Sequence, residues 1–239
     1  MSVASELVEY SEGGTTFEAY VAKPAGAAKA PCVLVAHDWS GRNEGAHAAA
    51  DRLAALGYVG FALDTYGKGV RGDQMGDNTH LMGPLLADRR LLRRRLIAAL
   101  DAAKAHPAVD PQQIAAIGYC FGGLCVLDLA RAAPPALKGV ASFHGIFPPP
   151  NIGAQARITA KVLVLHGWDD PMAPPADAVA LAKELTDAGA DWQLHAYGHT
   201  MHAFTAAGAD ARERGILYNE AADKRSWAAL KGFLAEVFG

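Results

Sequence analysis

The 239-residue chain lacks an excess of charge of either sign: 22 Lys and Arg stand against 25 Asp and Glu, a formal net charge of −3. That balance points away from a polyanion partner, so no nucleic acid is expected. Cysteine is scarce. The three residues Cys32, Cys120 and Cys125 are too few, and odd in number, for a disulfide framework in a chain of this size. No apolar run approaches the roughly 18 residues of a membrane-crossing helix, so no membrane partner is expected. The first residues, MSVASELVEYSEGG, have neither a basic n-region nor an apolar h-region, which argues against a signal peptide. Together these absences predict a reducing, cytoplasmic setting. Disorder is excluded in turn, because 51% of residues are hydrophobic and only 20% are charged.

What is present reads as one domain over residues 1–239, long enough to bury a core without disulfide or metal staples. Residues 6–22 suggest two short strands around Gly13-Gly14, a hairpin signal. Apolar, β-branched runs at 32–37, 58–63, 113–118, 138–144, 161–166 and 192–197 read as buried strands. Helical patterns at 44–56, 84–105, 121–132, 176–188 and 216–238 alternate with them, and Leu85, Leu92, Leu96 and Leu100 share one face of the second. This alternation predicts an α/β fold with a mostly parallel sheet covered by helices on both faces.

Residues 118–122 read Gly-Tyr-Cys-Phe-Gly, after a strand and before a helix. This is the spacing of a nucleophile elbow, with cysteine in the usual place of serine. The turn is strained and crowded, so small neighbours are needed; Gly118, Gly122 and Gly123 supply them. It also sets the Cys120 sulfur at a helix N-terminus, where the helix dipole favours the reactive thiolate. A buried cysteine beside a glycine turn would show the same local pattern, so the rest of a triad must decide. In this architecture it follows in the order acid, then histidine, each past a later strand.

Past the strand at 161–166 comes Gly167-Trp168-Asp169-Asp170-Pro171, which offers two carboxylates able to orient an imidazole. Asp170 is preferred, because Gly-x-x-Asp followed by Pro is the usual shape of such an acid loop. Past the strand at 192–197 come His199 and His202. His202 is preferred as the base, because Ala203 and Phe204 follow it. The His-x-x-His spacing lies in a loop without further cysteine or carboxylate ligands in pattern, so no metal and no cofactor are expected. Cys120 and Cys125 are five positions apart and do not form the C-x-x-C of a redox pair.

With these residues assembled, the chain resembles the dienelactone hydrolase family of the α/β-hydrolase fold. The resemblance runs over nearly the whole chain and rests on Ala36-His37-Asp38-Trp39-Ser40-Gly41, Asp64-Thr65-Tyr66-Gly67, the Cys120 elbow, the Asp170 loop and His202-Ala203-Phe204. It implies a Cys-His-Asp triad acting on a small ester or lactone, with the N–H groups of Trp39 and Phe121 as the oxyanion hole. It also implies a thiol-activating acid after the third strand. Asp38 occupies that place, one methylene shorter than the glutamate of the best-known members.

One departure concerns the substrate. Dienelactone hydrolases proper hold a substrate carboxylate with arginines, one of them four residues after the catalytic histidine, where this chain has Ala206. Arg89, Arg90, Arg93, Arg94 and Arg95 are other candidate cations, although such a run usually forms a solvated helix face. Trp39 would make the pocket aromatic. A neutral small ester or lactone therefore competes with a dienelactone carboxylate as substrate. A general carboxylesterase or thioesterase with the same triad is the alternative, and a non-catalytic binding protein of the same fold stands behind it. A monomer or small homo-oligomer is expected.

Overall fold

The computed structural model describes residues 2–26, 29–74 and 76–239. The chain forms two compact units, residues 1–117 and 118–239.

The first unit opens with the hairpin. Strands β1 (Val3–Glu12) and β2 (Thr15–Pro24) pair antiparallel from Glu12↔Thr15 to Val3↔Pro24. Gly13 and Gly14 both have positive φ, +55° and +79°, the left-handed pair that a two-residue turn needs to match strand twist. Strand β3 (Ala30–Ala36) leads into helix α1 (Glu44–Ala55), whose first turn is capped by Asn43 Oδ1 accepting from Ala46 N at 3.1 Å. Strand β4 (Val59–Ala62) pairs parallel with β3 and antiparallel with β2. A Cβ on Gly60 would lie 2.4 Å from Ala50 O, so the alanine-lined face of α1 packs directly on the strand. Helices α2 (Thr79–Ala87) and α3 (Arg89–Ala105) follow, then strand β5 (Val109–Tyr119), which carries the chain into the second unit. Within the first unit the strand order is β1-β2-β4-β3-β5.

The second unit begins at the end of β5. Helix α4 (Phe121–Arg131) is buried along its whole length. Strands β6 (Leu137–Phe143), β7 (Lys161–Gly167) and β8 (Trp192–Tyr197) run parallel in the order β6-β7-β8. β6 and β7 read as near-continuous apolar runs because helices cover both faces of a parallel sheet. Helix α5 (Pro175–Asp187) separates β7 from β8. Strands β9 (Asp210–Ala211) and β10 (Ile216–Leu217) form a small antiparallel pair before helix α6 (Glu220–Phe238). α6 buries Leu230, Phe233 and Leu234, and a Cβ on Gly139 of β6 would sit 2.8 Å from Val237.

Two expected helices differ in extent. The pattern at 84–105 is two helices: Asp88 leaves helical geometry (φ −119°, ψ 83°) and caps α3, its Oδ1 accepting from Leu91 N at 2.9 Å. The four leucines are nevertheless all buried, because both pieces present the same face. The terminal helix starts at Glu220 rather than at 216. Residues 216–217 are taken by β10, and Asn219 caps the helix by accepting from Ala222 N at 3.1 Å.

The arginines of α3 do not form one solvated face. Arg90, Arg93 and Arg94 are exposed, the last bonded to Glu12 at 2.9 Å. Arg89, however, is buried. Arg95 donates to Thr65 O at 2.6 Å and lies 5.2 Å from the Phe17 ring centroid. Arg95 thus spreads its guanidinium over an aromatic ring instead of reaching into solvent.

Candidate active site

The three residues singled out as nucleophile, acid and base all lie in the second unit, each just past a strand. Cys120 follows β5 at φ +56°, a left-handed conformation unusual for cysteine. The crowding expected of the elbow is real. A Cβ on Gly118 would lie 2.0 Å from Gly122 O, and one on Gly123 would lie 2.6 Å from Gly145 Cα. Cys120 N donates to Phe143 O at 3.0 Å, which ties the elbow to the end of β6. Cys120 is half-buried, and its carbonyl accepts from Gly123 N at 2.9 Å as α4 begins. Phe121 occupies the first position of that helix.

Asp170 is buried past β7. Its Oδ2 lies 2.8 Å from His202 Nδ1, and its Oδ1 accepts from Met172 N at 2.8 Å. Asp169 faces solvent instead, with His199 Nδ1 3.8 Å away and the His199 side chain fully exposed. The geometry thus brings Asp170 to His202 and leaves Asp169 and His199 as a separate surface pair. The two histidines of the His-x-x-His sequence have no shared environment.

His202 is held on both sides. Its N–H donates to Gly215 O at 2.9 Å, and its carbonyl accepts from Leu217 N at 3.1 Å. Gly167 lets the loop before it approach β7: a Cβ there would sit 2.5 Å from Thr200 O and 2.7 Å from Met201 O. A Cβ on Gly215 would sit 2.2 Å from Pro171 Cγ, so the segment holding the histidine packs on the acid loop. Nε2 of His202 is buried and has no hydrogen-bond partner among the described residues. Cys120 is close enough to act electrostatically on the same ring. Burial opposes charge on the imidazole, but the Cys120 sulfur and the Asp170 carboxylate outweigh it and raise its pKa to about 10. The arrangement therefore favours a charged imidazole at His202 with the Asp170 carboxylate behind it.

The other expected site residues belong to the first unit. Asp38 Oδ1 accepts from Ser40 N at 2.7 Å and Ser40 Oγ at 2.6 Å, and its Oδ2 accepts from Asn43 Nδ2 at 3.0 Å. Both carboxylate oxygens thus organise their own loop. Tyr66 donates to Trp39 O at 2.9 Å, which pins the peptide after Trp39. Asp64 Oδ1 accepts from Tyr66 N at 2.9 Å and Gly67 N at 3.1 Å, the structural reason for that Asp-Thr-Tyr-Gly stretch. Cys32 is buried in β3, where burial pushes its thiol pKa up, and Cys125 is buried within α4.

Sequence reading missed His144. In sequence it reads only as the end of the β6 pattern, yet its ring lies 5.2 Å from that of His202 at 67°. The signal available was a histidine followed by glycine at the C-terminal end of a parallel strand, the edge where such folds build their sites. Among the described residues no cluster of metal-ligating side chains occurs, and no helix is long and apolar enough to cross a membrane.

Known proteins resemble the chain throughout. The profile of the dienelactone hydrolase family matches residues 17–238. An uncharacterized protein of Caenorhabditis elegans is 37% identical over 62% of this chain and 94% of its own length. A Synechocystis protein named "Putative carboxymethylenebutenolidase" is 25% identical over 97% of this chain and 96% of its own. The crystal structure of a dienelactone hydrolase-like promiscuous phosphotriesterase from metagenomic libraries superposes with a TM-score of 0.94 and 35% identity, covering all of both chains. With its α/β-hydrolase fold and its full-length match to these ester hydrolases, the chain belongs to the dienelactone hydrolase family.

Proposed function

We propose that the protein hydrolyses a small ester or lactone through a Cys-His-Asp triad, with Cys120 as nucleophile, His202 as proton carrier and Asp170 as its orienting acid. The observation that carries this reading is the buried 2.8 Å contact of His202 Nδ1 with Asp170 Oδ2, with Cys120 acting electrostatically on the same imidazole. The Cys120 thiolate attacks the carbonyl carbon. As the C–O bond breaks, the imidazolium of His202 gives its Nε2 proton to the leaving oxygen. The thioester that results is opened by water. Neutral His202 takes the water proton, and the acid product leaves with the thiolate restored. A lactone suits this sequence, since its leaving oxygen stays tethered while the thioester forms.

The N–H of Phe121 at the start of α4 is the proposed oxyanion donor, with that of Trp39 as its second member. Asp38 as thiol-activating acid is part of the same proposal, and its engagement by Ser40 and Asn43 makes Asp38→Asn a direct test of it. The proposal takes residues 1–239 as one catalytic domain working in a reducing, cytoplasmic setting that spares the thiol. No cofactor enters any step.

The test is a hydrolysis screen over p-nitrophenyl acetate, simple lactones and a dienelactone, with Cys120→Ala as blank. Mass spectrometry should show the acyl group on Cys120 in rapidly quenched wild type. Turnover by the blank, or an acyl group elsewhere, overturns the assignment. A phosphotriester belongs in the same screen, because the structural neighbour named above is a promiscuous phosphotriesterase.

A further inference from the structure

His144 touches both halves of the chemistry. On one side, its neighbour Phe143 accepts the Cys120 N–H at 3.0 Å. Its other neighbour, Gly145, packs so closely on Gly123 that a Cβ on Gly145 would lie 3.1 Å from Gly123 Cα. On the other side, His144 Nε2 is 2.8 Å from Thr205 Oγ1, three residues after the base. Its ring meets His202 at 5.2 Å and Phe204 at 5.1 Å, both near edge-on. The backbone at His144 is left-handed, φ +36°, a conformation that costs energy outside glycine and persists only where the surroundings enforce it. Here Leu165 O accepts its N–H at 2.9 Å and locks that turn.

We propose that His144 is a positioning residue: a neutral imidazole that fixes the plane of the His202 ring and couples the segment bearing it to the Cys120 elbow. The inference rests on the proposed triad. The titratable groups facing His144 are His202, His166 of β7 and the Tyr119 ring at 6.0 Å. None of these three is a carboxylate. Burial and the neighbouring His202 hold the His144 pKa well below the ordinary range, so it stays uncharged beside the imidazolium and does not compete for its proton. It bears on the reaction through geometry, and a misplacement of about 1 Å in such a site costs on the order of 10²-fold in rate.

The test compares His144→Ala, His144→Phe and Thr205→Val with wild type. The readouts are kcat and KM for p-nitrophenyl acetate, thermal midpoints, and the pH profile of iodoacetamide alkylation at Cys120. His144→Ala should lower kcat about tenfold or more with KM within about threefold. Its half-maximal alkylation should shift upward by about half a pH unit, as the imidazolium loses its fixed place beside the sulfur. His144→Phe keeps a ring against His202 and should recover part of the loss, to the level of Thr205→Val. If His144→Ala does not fold, the other two variants decide. Wild-type kcat with an unmoved alkylation profile, in whichever of these variants fold, overturns the inference. Loss of activity in Cys120→Ala and His202→Ala, alongside such wild-type behaviour, would leave the triad standing and remove only the role of His144.

Discussion

Nδ1 of His202 lies 2.8 Å from Oδ2 of Asp170, while the other oxygen of the same carboxylate is held by the Met172 N–H at 2.8 Å. The acid is thus fixed at both oxygens, one spent on its own loop and one on the imidazole. This bond also fixes the ring, because Nδ1 donates to the carboxylate and Nε2 is turned away from it. An orienting acid needs that rigidity as well as its charge.

Removing the nucleophile or the base should abolish most turnover. Cys120→Ala and His202→Ala are each expected to lower kcat on a small ester by at least ~10³-fold. Steady-state assays of the purified variants check this, and near wild-type rates in either would exclude that residue from the reaction.

The two adjacent carboxylates should separate cleanly. Asp170→Asn leaves His202 without its acceptor and should cost ~10²-fold or more in kcat. Asp169→Asn removes only a solvent-facing partner of His199 and should stay within about twofold, since exposed pairs contribute little.

Stability should respond to pH with opposite signs on the two sides of neutrality. His202 has its pKa raised to about 10 in the folded protein, against an ordinary value of 6.5. Its contribution is complete below about pH 6.5 and is lost as pH rises toward 10. His37 and His144 are buried with lowered pKa values, so their contribution is present above about 6.5 and is lost as pH falls. Urea midpoints measured from pH 4.5 to 10 should therefore fall in both directions from near neutrality. His202→Gln should flatten the alkaline side, and an unchanged alkaline slope in that variant would contradict the assignment.

Close packing at Gly167 makes a further case. In Gly167→Ala the new methyl would meet Thr200 O at 2.5 Å and Met201 O at 2.7 Å, pushing away the loop that leads to His202. Overpacking of this kind costs about 1–3 kcal/mol. Activity should fall further than stability does, and thermal melts run beside kinetics would show whether the two losses separate.

Substrate charge can be read at Ala206, which is exposed four residues past the histidine. Wild type should show little preference for carboxylate-bearing over neutral lactones in kcat/KM. Ala206→Arg should shift that ratio toward the carboxylate by about tenfold or less, on the scale of one partly exposed ion pair. A strong carboxylate preference in the wild type would mean that cations elsewhere in the chain do this work.

Much of this was legible in the sequence, for reasons that differ by element. β6 and β7 announce themselves because a strand buried on both faces must be apolar throughout. The elbow was legible because its sterics demand Gly118 and Gly123 around Cys120. The break at Asp88 was hidden by leucine periodicity that runs across it, with α2 and α3 burying one common face. β10 was hidden because a two-residue strand carries no period, and its residues continued the apolar pattern of α6. His144 was only hinted at, by its position at the end of a parallel strand. Its place in the site depends on a ring contact with His202 and a hydrogen bond to Thr205, both distant in sequence, and no local pattern encodes them.

The approach of Gly215 to Pro171 has a practical consequence for alignment of the site. The segment that accepts the His202 N–H and the loop that carries Asp170 are registered by mutual contact at a position without a side chain. Steric registration of this sort is indifferent to ionic strength, and the buried charges around the imidazole are screened far less than surface ones. High salt should thus leave both the aim and the proton chemistry of the base nearly unchanged. An engineer seeking to retune the catalytic pH could instead change exposed charges around the site, provided Asp170 is kept and residue 215 stays glycine.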